Sequence, residues 1–146
     1  MNKPVLVLDT NVVLDLLHFD DATARPLLHA LEAGRVCCVV SDTTLDEWGR
    51  VLAYPEFSLD AARQVALFER YRSLSVPESA RSVADLSLPR CSDPDDQKFI
   101  ELAAASHARG LVSKDRAVLR LRRRCAPYFR VMTPAVAVRW LADMPA

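Results

Sequence analysis

Residues 4–11 read PVLVLDTN, so a run of four apolar residues ends directly at a carboxylate, Asp9. A short continuous apolar run is typical of a strand that is buried on both faces of a parallel sheet. A similar run, VCCVV, occupies residues 36–40. The two runs predict neighbouring buried strands, and Asp9 then lies at the end of the first.

Segments with the apolar spacing of helices alternate with strand-like segments along the chain. Ser41 or Asp42 can cap a helix that runs through Leu52, with Pro55 beyond its end. Further helices are predicted at residues 12–19, 22–33 (stopped by Gly34), 59–74 and 134–144. Another helix is opened by Asp93-Pro94 and stopped by Gly110, and a short arginine-rich helix follows Asp115. The remaining strands are predicted near residue 76, at 111–113 and at 129–132.

Strands that alternate with helices imply right-handed crossovers between parallel strands. We therefore expect the α/β class, as a three-layer α/β/α sandwich with a central parallel sheet. With 146 residues, the chain is long enough to bury a core and short enough to form a single domain over residues 1–146.

The composition is that of an ordinary globular protein, with 51% hydrophobic and 26% charged residues. Nineteen basic residues balance nineteen acidic ones, so nucleic-acid binding would need a local basic patch. No apolar stretch reaches the roughly 18 residues of a membrane span, and the N-terminal residues lack the pattern of a signal peptide. We therefore expect a cytoplasmic protein with no membrane partner. The four cysteines lack zinc-site or redox spacing, which favours structural roles.

Acidic residues are expected to meet at one edge of the sheet. Asp9 follows the first strand directly, and Asp115 follows the strand at residues 111–113 by two positions. Ligands of open parallel sheets bind outside the carboxyl ends of the strands, which is where these two acids fall. The acids that this topology brings towards the same edge are Asp9, Glu47, Asp93, Asp95, Asp96 and Asp115.

Clustered carboxylates repel one another and stay ionised together only when solvent or a cation screens them. Carboxylate oxygens without histidine or thiolate partners favour Mg²⁺ or Mn²⁺ over zinc. Such a site suits phosphodiester hydrolysis by metal-activated water. Each acid taken alone also has a simpler explanation, because Asp9, Asp93 and Asp115 can cap helices and Asp46 can take the place of Glu47. The prediction of a metal site therefore depends on the acids as a group.

Three segments carry a resemblance to a known family: VLDTNVVLDLL at residues 7–17, SDTTLDEWGRVLAYPEF at 41–57, and CSDPDDQKFIELAAASHARGLVSKD at 91–115. They resemble the PIN domain, a metal-dependent nuclease fold with Rossmann-like topology. The closest likeness is to the VapC-like ribonucleases, the toxin half of bacterial and archaeal toxin–antitoxin pairs. The third segment is the most specific, because an acidic helix start, a helix with small residues and a strand ending in Ser/Thr-x-Asp follow in order.

The resemblance assigns a role to each candidate residue. It implies that four acids hold Mg²⁺ or Mn²⁺ and are catalytic, and that neighbouring polar residues orient them. Asp93, at the start of the same acidic helix as Asp96, is an additional candidate acid. The catalytic acids are then Asp9, Glu47, Asp96 and Asp115, and the orienting residues are Thr10 or Asn11 together with Ser113. Hydrogen bonds of this kind fix the geometry of metal-binding carboxylates. No acid of the pattern is missing, so the resemblance implies an intact site.

The arginine-rich segment after Asp115 is a candidate for binding RNA phosphates. In a helix, Arg116, Arg120 and Arg123 would share one face beside the acids. A solvated basic helix end is the simpler alternative. The resemblance also implies RNA as the substrate, a small antitoxin protein as a partner, and a homodimer to which the apolar helix at residues 12–19 would contribute.

Two other functions compete with a metal-dependent endoribonuclease. A haloacid dehalogenase-type phosphatase would use Asp9 as a nucleophile, but it usually has a second Asp two residues later, where this chain has Asn11. A PIN-like module that binds RNA or an antitoxin without cleavage is the other alternative. The retained acids disfavour the non-cleaving module.

Overall fold

The computed structural model describes residues 3–78, 83 and 86–145. Its described residues form one five-stranded sheet in the order β3-β2-β1-β4-β5, and every neighbouring pair is parallel. The strands are β1 (Val5–Leu8), β2 (Cys37–Val40), β3 (Ser75–Pro77), β4 (Gly110–Val112) and β5 (Arg130–Met132). The predicted central parallel sheet is confirmed.

Helices occupy the connections between the strands. In the described part of the chain they are α1 (Thr10–Leu17), α2 (Arg25–Glu32), α3 (Asp42–Leu52), α4 (Ala61–Leu74), α5 (Gln97–Ala105), α6 (Arg116–Leu119), α7 (Arg122–Cys125) and α8 (Pro134–Ala142), with 3₁₀ turns at Pro55–Phe57 and Pro94–Asp96. None of the helices in this part of the chain has the length and apolar character that a membrane crossing requires.

Alternate residues of β1, β2, β4 and β5 enter two separate hydrophobic cores, one on each face of the sheet. On β1, Leu6 and Leu8 join the core formed with α1, α2, α3, α4 and α8, whereas Val7 joins the core formed with α5, α6 and α7. Side chains of a strand point to opposite faces in turn, so two cores require helices on both sides. The three-layer α/β/α sandwich follows, as predicted.

Ser41 begins α3 with a capping box. Its hydroxyl accepts from the backbone amide of Thr44, and the Thr44 hydroxyl accepts from the backbone amide of Ser41. These reciprocal bonds satisfy amides that would otherwise lack partners in the first turn. Of the two predicted caps, Ser41 is therefore the one used, and Asp42 is the first helical residue.

The prediction that Gly110 stops the helix after Asp93-Pro94 is wrong. The helix α5 ends at Ala105, and His107 takes the left-handed conformation (φ 53°) that glycine often supplies. The backbone amide of Ala108 then bonds the Ala103 carbonyl at 2.9 Å, which closes the helix as in a Schellman motif. Gly110 instead begins β4, where a Cβ atom would lie 2.4 Å from the Met132 Cε atom. Close packing, and not helix termination, explains this glycine.

Two further predictions need correction. The single arginine-rich helix is split into α6 and α7, which are separated at Arg120 and Leu121. The helix at residues 12–19 is observed at Thr10–Leu17, and its apolar residues are buried in the chain's own core, with Phe19 beyond it left 55% exposed. The contribution of this segment to a homodimer stays a prediction, with Phe19 as its exposed large apolar side chain. The predicted connection at residues 76–88 falls partly outside the described residues, although its expected strand is present as β3.

Candidate active site

Asp9 and Ser113 lie side by side at the carboxyl edge of the sheet. The register pairs Leu8 with Val112, so the residues that follow these two strand ends are neighbours. The backbone amide of Asp9 bonds the Val112 carbonyl at 2.9 Å, which extends the pairing by one residue. The Ser113 hydroxyl donates to the Asp9 Oδ2 atom at 2.6 Å, and the two residues are 0% and 3% exposed. Ser113 therefore fixes the orientation of a buried carboxylate.

The same hydroxyl also contacts Asp115. The Ser113 Oγ atom accepts from the backbone amide of Asp115 at 3.0 Å, while Asp115 caps α6 by accepting from the Ala117 amide at 2.8 Å. The capping role considered for Asp115 is thus real, and it uses one carboxylate oxygen, Oδ1. One serine hydroxyl consequently connects the acid after β1 with the acid after β4.

Three acids approach one another closely enough to share a cation. One carboxylate oxygen from each of Asp93, Asp96 and Asp115 lies within 4.8 Å of the others. Asp96 is only 8% exposed, and its Oδ2 atom is buried with no hydrogen-bond partner among the described residues. Asp93 also caps the turn Pro94–Asp96 by accepting from the Asp95 amide at 3.0 Å.

Burial and mutual repulsion make these acids difficult to ionise. Burial first, then the charge of Asp9, and then a side-chain hydrogen bond with Asp115 and the charge of that residue, raise the pKa of Asp96 to about 8. Burial also raises the pKa of Asp9, and the Ser113 hydrogen bond opposes part of that rise. Two neighbouring carboxyl groups with raised pKa values mark this edge of the sheet as a candidate functional site.

A hard divalent cation fits this set of donors. The cluster offers carboxylate oxygens, which are the ligands that Mg²⁺ and Mn²⁺ prefer. The buried Oδ2 atom of Asp96, which has no hydrogen-bond partner among the described residues, is a polar group that a bound cation would satisfy. A cation would also offset the repulsion that raises the pKa of Asp96.

Glu47 has protein partners on both carboxylate oxygens. The Thr10 hydroxyl donates to its Oε2 atom, and the Lys98 ammonium lies 2.6 Å from its Oε1 atom. Thr10 therefore orients Glu47, while Ser113 orients Asp9. The charge of Glu47 contributes to the raised pKa of Asp9, which places Glu47 in the same electrostatic site.

Other predicted residues are more peripheral. The Asn11 side chain is exposed, and it is the backbone amide of Asn11 that lowers the pKa of Asp9. Arg116, Arg120 and Arg123 are all exposed, as phosphate contacts would require, although the break between α6 and α7 separates Arg123 from the first two.

Sequence reasoning missed two lysines. Lys98 pairs with Glu47, and Lys114 pairs with the Asp15 Oδ2 atom at 2.8 Å. Asp15 lies in α1 and is 5% exposed. The one available clue was that each lysine stands next to acids of the third segment, Lys98 after Asp95-Asp96 and Lys114 before Asp115. The partners of these lysines are distant from them in sequence, so no short-range sequence pattern predicts the two ion pairs.

Comparison with known proteins identifies a family and a related fold. Residues 5–117 match the family model of the PIN domain. The fold is similar to that of a chain in the crystal structure of VapBC2 from Rickettsia felis bound to a DNA fragment from their promoter, with a TM-score of 0.62 and 14% sequence identity over 88% of this chain and 98% of that one. At that identity, the structural likeness concerns the fold. No curated protein matches the sequence.

Proposed function

The chain belongs to the PIN domain family, whose members are generally nucleases, and from this premise we propose that it is a metal-dependent endoribonuclease. The observation that supports the proposal most directly is the cluster of Asp93, Asp96 and Asp115, with a buried oxygen that has no hydrogen-bond partner in the part of the chain that the structure describes. The family match also favours this function over a haloacid dehalogenase-type phosphatase.

We propose that Asp9, Asp96 and Asp115 hold Mg²⁺ or Mn²⁺, with Asp93 as an additional acid and Glu47 as the fourth acid of the same site. A bound divalent cation would activate water for attack on a phosphodiester bond and offset charge on the leaving oxygen. The protein supplies fixed carboxylates for this chemistry, because Ser113 holds Asp9 at 2.6 Å.

Binding of a cation at this site is expected to require loss of a proton from Asp96. Because its pKa lies near 8, Asp96 is mostly protonated at neutral pH in the metal-free protein. A carboxylic acid must lose its proton before it can bind a cation through that oxygen. Cation binding is therefore expected to release protons and to strengthen as pH rises towards 8.

RNA is proposed as the substrate because the sequence resembles the VapC-like ribonucleases. Arg116 and Arg120 in or directly after α6, and Arg123 in α7, are exposed and follow Asp115 closely in sequence. We propose that these side chains contact phosphates that flank the cleaved bond.

We propose that the biological role of this nuclease is that of the toxin in a toxin–antitoxin pair. The matched structure is described as VapBC2 bound to promoter DNA, and it shares the fold with this chain. We propose by analogy a small antitoxin protein as a partner, a homodimer, and action in the cytoplasm. A PIN-like module that binds without cleavage is the alternative that an activity assay distinguishes.

The first test is removal of the metal. Cleavage of an end-labelled RNA by the purified protein should require Mg²⁺ or Mn²⁺ and fall by roughly 100-fold or more in excess EDTA, since the acids alone cannot activate water equally well. Re-addition of Mn²⁺ in excess over the EDTA should restore the rate. Gel analysis of the RNA products measures both changes. Undiminished cleavage in EDTA would contradict the proposal.

The second test concerns the toxin role. Induced expression of the chain in a bacterial host should arrest growth, because cleavage of cellular RNA stops protein synthesis. A variant that carries both Asp9→Asn and Asp96→Asn should permit growth at equal protein level. Co-expression of a small protein from a neighbouring gene should relieve the arrest. Normal growth, together with the absence of such a neighbour, would instead favour an RNA-processing nuclease.

A further inference from the structure

Lys98 is a cation built into the acidic site. Its ammonium lies 2.6 Å from the Glu47 Oε1 atom, and the two side chains are only 20% and 16% exposed. The second oxygen of Glu47 accepts from the Thr10 hydroxyl. Both oxygens of Glu47 are therefore engaged by the protein itself.

Additional contacts hold Lys98 in place. Its ammonium also donates to the backbone carbonyl of Asp95 at 2.6 Å, and it lies 5.5 Å from the centre of the Phe99 ring. Lys98 stands in the first turn of α5, directly after the turn that carries Asp96. The pair is thus formed by a fixed ammonium and a fixed carboxylate, which is the situation in which an ion pair is more than a transient surface contact.

This pairing divides the acids into two groups. Asp93, Asp96 and Asp115 share a space that contains a carboxylate oxygen without a hydrogen-bond partner among the described residues, whereas Glu47 is neutralised by Lys98. A divalent cation that takes Glu47 as a ligand must either displace the ammonium or share the carboxylate with it. In both cases the positive charge of Lys98 opposes binding of the cation to Glu47.

We propose that Lys98 competes with the divalent cation for the Glu47 carboxylate and is a positioning residue of the site. The proposal rests on the proposed function, because it requires that the acids bind a divalent cation. Without the cation, Lys98 neutralises Glu47 and holds it beside Thr10. With the cation, Lys98 weakens binding by retaining a potential ligand.

Calorimetric titration of the metal-free protein with Mn²⁺ tests the competition without any measurement of cleavage. Lys98→Gln should raise the affinity for Mn²⁺ by about tenfold, which is within the range of coupling between contacting charged groups. The same substitution in a Glu47→Gln background should raise the affinity by about twofold or less, because no carboxylate remains to be released. The four proteins form a double-mutant cycle.

Two variants control for charge and for folding. Lys114→Gln removes the same charge from a lysine directly before Asp115, but that lysine pairs with Asp15 and not with Glu47. It should change the Mn²⁺ affinity by about twofold or less, equally in both backgrounds. Lys98→Arg keeps the positive charge and should retain an affinity near that of the unmodified protein. Thermal unfolding of each metal-free variant verifies that it is folded.

The outcomes separate this proposal from the proposed function. A gain from Lys98→Gln that is equal or larger in the Glu47→Gln background would overturn the competition, since Lys98 would then act only as a nearby positive charge. Mn²⁺ binding itself would still support the metal-dependent nuclease in that case. The absence of Mn²⁺ binding in the unmodified protein and in every variant would overturn both proposals.

Discussion

Asp96→Asn should abolish RNA cleavage, with a rate decrease on the order of 10³-fold, or about 4 kcal/mol of activation free energy. Asp96 is the most buried member of the three-acid cluster, and its Oδ2 atom is the one without a hydrogen-bond partner among the described residues. An amide has nearly the same shape but no negative charge, so it should disrupt cation binding while preserving the fold. Single-turnover cleavage assays at saturating Mn²⁺ measure the decrease.

Asp95→Asn is the matched control for this change. Asp95 precedes Asp96 in the same 3₁₀ turn, but it is exposed and stands outside the three-acid cluster. Its substitution removes an equal charge at almost the same place, and the cleavage rate should change by less than about threefold, as expected for a screened surface charge. Full activity in the Asp96→Asn variant, or equal losses in the two variants, would show that Asp96 has no special role.

The stability of the Asp96→Asn variant gives a second readout with a defined sign. Because the pKa of Asp96 rises from 3.8 to about 8 in the folded protein, folding favours the protonated form. The stability that this raised pKa contributes to the unmodified protein is fully present below about pH 3.8 and is lost as pH rises towards 8. The metal-free variant should therefore become progressively more stable than the unmodified protein over this range. Mn²⁺ should reverse that order, because it stabilises mainly the protein that retains the carboxylate.

Asp9→Asn should reduce cleavage by on the order of 10² to 10³-fold, or about 3 to 4 kcal/mol. Asp9 is 3% exposed, lies at the end of the central strand and receives a 2.6 Å hydrogen bond from Ser113. The substitution removes one of the negative charges that raise the pKa of Asp96, so that pKa should fall in the metal-free variant. Cleavage assays measure the rate, and a pH series of metal-free unfolding temperatures reports the altered pKa.

Substitutions of Ser113 show whether the orientation of Asp9 matters in addition to its charge. Ser113→Thr retains a hydroxyl for Asp9 and should keep activity within a few-fold, whereas Ser113→Ala should lose roughly tenfold or more, which is the usual cost of removing a partner that orients a metal ligand. Circular dichroism verifies the fold of each variant. Equal activity in the Ala and Thr variants would assign the Ser113 hydroxyl no role in positioning Asp9.

Local sequence determined most of the architecture. The apolar run before Asp9 is long enough for a strand and has no polar face, so it could lie only inside a sheet covered on both sides. Ser41 carried the signal for the start of α3 because a capping hydroxyl acts on an amide only three residues away. The order of strands and helices then placed Asp9 and Ser113 at one edge, where they form a hydrogen bond.

Gly110 and the arginine-rich segment show the limit of such local signals. A glycine after a helix usually indicates that the helix ends there, but Gly110 lies in a strand and packs closely against the Met132 side chain of the neighbouring strand. The arginine-rich segment has helical spacing throughout, yet α6 ends at Leu119 and α7 begins at Arg122. Neither result follows from the short-range preferences of these residues.

The sequence by itself placed Asp9 at a strand end and Asp96 and Asp115 at helix starts, because strand ends and helix starts are set by interactions within a few residues. The tertiary structure decided what each acid contacts. Glu47 is held by Thr10 and Lys98, and Asp15 by Lys114, through pairs that join distant parts of the chain. Side-chain charges meet only after the elements have packed, so their pairing depends on the relative positions of whole helices and strands.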